Sequence, residues 1–256
     1  MKAFLIVFLL LPFSFCGQAP FSDSTLEAGI DNIYDVYQGL FGGGVVAFDY
    51  DNDGYEDLFI TGGQGQDVLY KNNGDATFKD VTKESGLFKD RMIVTTGVSS
   101  ADVNKDGFID LFVTTIASQA DQSKKKKTLA PNLLYINNGD GTFTDFSSKY
   151  GIIKNNFSTS SSFGDINADG YPDLFVGNYF KNFYFEDSPF NTHNIALLNH
   201  YSINEEYETG DDQLFINVEG KYFKEVSDLL MDSGKGYGFG GVFTDFDNDN
   251  DLDLFI

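Results

Sequence analysis

The sequence predicts an all-β fold, a β-propeller of four-stranded blades, from three observations. An acidic loop of one pattern occurs four times. Each copy stands between short apolar runs rich in strand formers. A turn-forming Asn-Gly hairpin follows the first two copies, and a looser hairpin follows the third. Units of this length with four strands apiece are the blades of a propeller. The composition agrees, since 27 Gly, 27 Phe and 14 Tyr without any Trp suit pleated strands joined by tight turns.

The first loop lies in Phe48 to Ile60, F-D-Y-D-N-D-G-Y-E-D-L-F-I. It places Asp49, Asp51, Asp53 and Asp57 at loop positions 1, 3, 5 and 9, with Gly54 at position 6. Four carboxylates this close repel one another unless a cation sits among them. Ca²⁺ suits the site, because it takes six to eight oxygens from carboxylates, carbonyls and water. Gly54 permits a sharp turn that brings the carbonyl of Tyr55, at position 7, into the ring of ligands. The second copy is Asp102, Asn104, Asp106, Gly107 and Asp110, and the third is Asp165, Asn167, Asp169, Gly170 and Asp173. The fourth has Asp245, Asp247, Asp249 and Asp253, with Asn250 where the others have Gly. Asn enters the left-handed region more readily than most residues, so the pattern survives. An EF-hand shares the first half of the loop but needs a bidentate Glu at position 12 and a helix on each side. Position 12 is Ile60, Val113, Val176 or Ile256, and the runs after position 9, such as Leu111-Phe112-Val113, read as strands. That excludes an EF-hand.

From the start of the chain, Lys2 and the apolar run Ala3 to Leu11 read as a secretory signal peptide over residues 1–16. The run is too short to span a bilayer, so no transmembrane segment is expected. Cys16, the only cysteine, is expected to leave with the signal; bulky Phe15 before it argues against lipidation. Residues 21–256 form the repeat region, in which 21–40 hold an end-of-blade strand and a linker. Unit 1 is 41–88, unit 2 is 89–152, unit 3 is 153–234, and a partial unit 4 covers 235–256. Each unit opens with a strand running into the loop, as in Gly44 to Phe48. The loop and its Leu-Phe strand follow, and then a hairpin such as Leu69 to Phe78 or Leu134 to Phe143. The loops start 53, 63 and 80 residues apart, the growth coming from insertions at Ser118–Pro131 and Asn178–Asp211. Phe21 to Gly29 matches the end of a unit, so an N-terminal strand completing a C-terminal blade would close a ring. About three whole blades fall short of the four to eight that propellers use. The chain is therefore expected to be a truncated piece of a longer protein, with an incomplete ring whose missing C-terminal blades would be its own partners.

The Phe41-Gly42-Gly43-Gly44-Val45 and Phe239-Gly240-Gly241-Val242 segments, the D-x-D-x-D-G-x-x-D loops and the L-Y-x-N-N-G-D-G-T-F hairpin resemble FG-GAP repeats. Such repeats build the propeller of integrin α subunits. The closer likeness is to the VCBS-type repeats of the cartilage acidic protein and UnbV group. The resemblance covers nearly all of Phe21 to Ile256. It implies a calcium-bound propeller in an exported protein, often one working in adhesion or matrix interaction. It also implies that side chains at positions 1, 3, 5 and 9 and the carbonyl at position 7 bind the ion. The position-7 residues are Tyr55, Phe108, Tyr171 and Asp251. Up to four Ca²⁺ are then expected, with weaker binding where Asn104 and Asn167 replace a carboxylate. The group's characteristic C-terminal module is missing from this chain.

The net charge of −22 argues against nucleic acid as a partner. Four Ca²⁺ would leave −14, still acidic. His193 and His200, the only histidines, carry no nucleophile motif around them, and there is no phosphate-binding loop of G-x-x-x-x-G-K type. Paired carboxylates could serve a glycosidase, but a catalytic pair is built once, whereas these recur at one spacing. No catalytic residue is expected. Lys124–Lys127 reads as a solvated run, with acidic-glycan binding as the alternative. Tyr179, Phe180, Phe183, Tyr184 and Phe185 read equally as a contact patch or a loop core. Asn156-Phe157-Ser158 fits a glycosylation acceptor in a eukaryotic route. The leading expectation is a secreted, periplasmic or cell-surface binding module for a protein or glycan. The alternatives are a non-catalytic carrier within a larger secreted polysaccharide- or lipid-directed enzyme, and a gene product without an independent role.

Overall fold

The computed structural model describes residues 22–35, 42–88, 93–118, 129–181, 209–230 and 236–256. The signal segment, Phe41, Lys124–Lys127, Phe183 to Phe185, His193 and His200 lie outside them. Among the described residues there are fifteen strands and no α-helix, only a short 3-10 turn at Ser227–Leu230.

Blade 1 is an antiparallel sheet of β1 (Val45–Phe48), β2 (Asp57–Ile60), β3 (Val68–Asn72) and β4 (Phe78–Asp80) in chain order. Blade 2 holds β5 (Ile93–Ala101) and β6 (Asp110–Ser118), followed after β7 (Ala130–Pro131) by β8 (Leu133–Asn137) and β9 (Phe143–Asp145). Blade 3 is β10 (Asn155–Gly164), β11 (Asp173–Phe180), β12 (Gln213–Val218) and β13 (Tyr222–Glu225). A final pair, β14 (Val242–Thr244) and β15 (Asp253–Phe255), starts a fourth sheet. The register repeats from blade to blade: Leu58 faces Tyr70, Leu111 faces Tyr135 and Leu174 faces Phe215. β7 departs from the loop expected there. It pairs with Asn155 and Asn156 of β10 and so lends blade 3 a fifth strand from the second unit's insertion. Pro131, which has no N–H to give, sits in this edge strand, where a proline costs least.

The first strands stand side by side, β1 against β5, β5 against β10 and β10 against β14, so the sheets follow one another around an arc. This is an incomplete propeller. Blade 2 is apolar on both faces because it is sandwiched between blades 1 and 3. Leu111 and Val113 of β6 pack with Phe48, Phe59 and Leu69 of blade 1, whereas Phe112 between them packs with Leu174, Val176 and Phe215 of blade 3. A strand alternates its faces residue by residue, which is why Leu-Phe-Val reads as an unbroken apolar run. Beyond blade 3 the faces open: Phe246 is 83% exposed and Phe255 72%.

The ends of the units superpose as well. The Phe143 N–H donates to the carbonyl of Ser85, and the Phe223 N–H to that of Tyr150. The Phe78 N–H donates in the same way to Ala28, so Asp23 to Ile30 covers blade 1 as Asp80 to Leu87 covers blade 2, but as a turn and not as the end-of-blade strand expected there. Hydroxyls join the innermost strands, with Thr61 Oγ1 donating to the Thr96 carbonyl at 2.7 Å and Thr96 Oγ1 to that of Ser158 at 2.8 Å.

Candidate metal centres

All four acidic loops lie between the first and second strands of a sheet, hence at the same end of each sheet. Their backbones follow one course. Position 4 is left-handed in each, with φ of 57° at Asn52, 60° at Lys105, 55° at Ala168 and 62° at Asn248. Position 6 is left-handed too, at Gly54, Gly107 and Gly170, and also at Asn250, whose φ is 74°. Carboxylates hold this shape. The two oxygens of Asp49 accept the N–H groups of Asp53 and Gly54, and Asp102, Asp165 and Asp245 do the same in their loops. At position 5, Asp53, Asp106, Asp169 and Asp249 each accept the N–H of position 7.

Position 9 ties the loop to its blade. Asp57 takes the N–H of Tyr50 on one oxygen and that of Asn72 on the other; Asp110 does so with Val103 and Asn137, and Asp173 with Ile166 and Asn217. All three carboxylates are fully buried. Burial pushes the Asp110 pKa up to about 7; nearby Asp106 and Asp102 add to the rise, and the two N–H donors oppose it. Asp57 and Asp173 are raised for the same leading reason. A carboxylate driven toward neutrality beside other carboxylates is a place where a cation would restore the charged form.

The oxygens converge as one ion requires. Two ligands of a single Ca²⁺ lie within about 5 Å of each other, given metal–oxygen distances near 2.3–2.6 Å. Asp49, Asp51 and Asp57 offer oxygens all within 4.8 Å of one another, and so do Asp245, Asp247 and Asp253. Asp51 Oδ1 is buried and has no hydrogen-bond partner in the protein. These residues fit a hard divalent cation. In loops 2 and 3 the Asn at position 3 instead turns its amide inward, Asn104 and Asn167 donating to Asp106 and Asp169 at 2.8 and 3.0 Å.

Aromatic rings at position 7 pack on the hairpins. A Cβ on Gly74 would lie 2.7 Å from the Tyr55 ring, and one on Gly139 2.7 Å from Phe108. The third copy places Tyr171 beside Gly220. Loop 4 has Asp251 there, its pKa raised by Asp249.

The sequence reading missed three sets of residues. Asn137 Nδ2 donates to the Tyr50 carbonyl and Asn217 Nδ2 to that of Val103, each reaching the acidic loop of the preceding blade. Their recurrence before the hairpin was the available signal. Asp67, Asn132 and Asp212, just before the third strands, each accept a backbone N–H: from Gly62 just after β2, from Thr115 within β6 and from Asn178 within β11. Lys71 of β3, where the other hairpins carry Ile136 and Ile216, reaches its ammonium into loop 1. Two lesser expectations also meet the structure. Asn156 stands in β10 with its amide donated to Gln213 at 2.5 Å, which is not the free loop asparagine a glycan acceptor needs. Tyr179 and Phe180 cluster with Phe157, Tyr237 and Phe239, of which Phe157 is buried while Tyr237 and Phe239 are 46% and 65% exposed, so this pair is part core and part surface.

Repeated antiparallel blades along an arc, each opening with the same acidic loop, define a propeller-type repeat protein. Residues 49–113 and 116–176 each match the model of the FG-GAP-like repeat. The chain is an FG-GAP-type repeat protein. None of the curated proteins compared with it gives a match. Among the described residues no helix is long and apolar enough to cross a membrane.

Proposed function

We propose that the chain is an exported Ca²⁺-binding propeller module whose ions are structural and whose surface serves adhesion or matrix interaction with a protein or glycan. The observation that carries this is the convergence of Asp49, Asp51 and Asp57 within 4.8 Å on a loop geometry built four times. The partnerless buried oxygen of Asp51 supports it. Side chains at positions 1, 3, 5 and 9 and the carbonyls of Tyr55, Phe108, Tyr171 and Asp251 would hold the ions. When bound, each ion supplies the positive charge that lets the four acidic groups of loops 1 and 4, or the three of loops 2 and 3, stay ionised beside paired strands. The chain's own part is to pre-shape the loop through its carboxylate–N–H bonds, leaving lone pairs free for the metal. No catalytic step belongs to this reading.

Because only the folded loop gathers the ligands, binding stabilises the fold by mass action. Extracellular modules work with dissociation constants of about 10⁻⁴–10⁻³ M. Thermal melts of the full chain in chelator and in millimolar Ca²⁺ test the proposal. A rise of several degrees with Ca²⁺, absent with equal ionic strength of K⁺, is expected; superimposable melts would refute it. N-terminal sequencing of the product released by its host cells tests export, and a mature start close to residue 17 is expected.

A further inference from the structure

Loop 1 differs from loops 2 and 3 in having an ammonium bonded to two of its carboxylates, whereas Lys105 Nζ lies over the Tyr171 ring of loop 3. Lys71, in β3, takes the place of Ile136 and Ile216 in the other blades. Its Nζ hydrogen-bonds to Asp51 Oδ2 and, at 2.7 Å, to Asp53 Oδ2, the residues at loop positions 3 and 5. The Tyr50 ring lies below it, 5.6 Å from Nζ to the centroid. Burial works against the charge of Lys71, and the bonds to Asp51 and Asp53 more than offset it. In loops 2 and 3 the N–H that reaches the position-5 carboxylate comes from Asn104 or Asn167. Lys71 supplies it in loop 1. Both arrangements arrive at one local charge over positions 1, 3, 5 and 9. Three carboxylates give −3 in loops 2 and 3, and four carboxylates with one ammonium give −3 in loop 1.

We propose that Lys71 is a built-in counter-ion which a divalent cation must displace from between Asp51 and Asp53, and that it sets the metal affinity of loop 1. The inference rests on the Ca²⁺ reading above and adds the residue that tunes one of the four loops. An ammonium is donor-only, so while it holds Asp51 and Asp53 those oxygens are shared with a competitor. Two cations a few ångströms apart also repel strongly at the edge of a protein. The flexible four-carbon stem allows the ammonium to swing to solvent once the ion enters.

Calorimetric titration of the full chain with Ca²⁺ tests this on wild type, Lys71→Ile (the residue of the equivalent positions) and Lys71→Gln, with circular dichroism verifying the fold of each. One binding event is expected to tighten at least tenfold in both variants while the others stay put. Melts should show a matching crossover: in chelator the variants fall below wild type, because four carboxylates lose their counter-ion, and millimolar Ca²⁺ closes the gap. Identical isotherms overturn the proposal and leave the Ca²⁺ reading standing. Variants that melt lower by the same amount with and without Ca²⁺ also overturn it, reducing Lys71 to an ordinary ion pair. Absence of Ca²⁺ binding in every protein, wild type included, overturns the Ca²⁺ reading and this proposal together.

Discussion

Loops 2 and 4 share a backbone and differ in surroundings. Their position-4 φ angles are 60° and 62°, and both turn left-handed at position 6, one with Gly107 and the other with Asn250. Yet Asp110 is fully buried with both oxygens capped, whereas Asp253 is exposed and takes the Phe246 N–H on a single oxygen. No third strand lies beside β15 among the described residues to offer the second N–H. The loop's shape is therefore written locally, by carboxylates closing on N–H groups two to five residues along. Its electrostatic setting is written by the rest of the blade.

The widest separation between the two loops should come from truncating position 9. Asp110→Ala leaves the Val103 and Asn137 N–H groups buried without acceptors, and should cost about 2–4 kcal/mol in chelator. Asp253→Ala should cost no more than about 0.5 kcal/mol. Denaturant titrations of the two variants measure the difference, and equal losses would break the distinction.

A second contrast sharpens the point between blades 2 and 3. Asn132 and Asp212 perform the same N–H acceptance, but the Asp212 pKa is pushed up to about 6, chiefly by burial, with Asp211 adding to the rise. A folded-state value above the unfolded 3.8 means that the native state prefers the protonated form. Stability is then fully present below about pH 4, is lost as pH climbs toward 6, and stays lower above that. Asp212→Asn should therefore gain about 1–3 kcal/mol at pH 8 and nothing at pH 4, as read from unfolding curves at the two pH values.

Smaller effects concern the glycines. Gly139 combines a φ of 72° with the Phe108 ring, so Gly139→Ala should cost about 1–2 kcal/mol and disturb loop 2 through that ring. Gly107 has open space around its missing Cβ, and Asn already fills its counterpart in loop 4. Gly107→Asn should cost under about 1 kcal/mol in the same assay. A larger loss there would show that position 6 is constrained by more than backbone angle.

Much of this was legible in the residues. Leu-Phe-Val runs, Asn-Gly turns and the fourfold D-x-D/N-x-D spacing pointed to strands, hairpins and loops, because each follows from short-range geometry. Asn250 was legible as a left-handed residue for the same reason. The left-handed position 4 was not, since Lys105 and Ala168 advertise no such preference; the carboxylate of position 1, drawing in the N–H groups beyond, imposes it. Lys71 reads as one more polar residue in a hairpin until the fold lays β3 beside the loop. Asn137 and Asn217 recur at one place in their hairpins, but the carbonyls they bind lie one blade away, which spacing along the chain does not reveal.

That reach between blades has a direction. Asn137 clasps Tyr50 and Asn217 clasps Val103, always from a later blade back to an earlier loop. A chain made from its N-terminus thus finishes loops 1 and 2 one blade late, after the following hairpin has emerged and folded against each. Completion of these two loops trails synthesis, each waiting for its latch from the blade that follows.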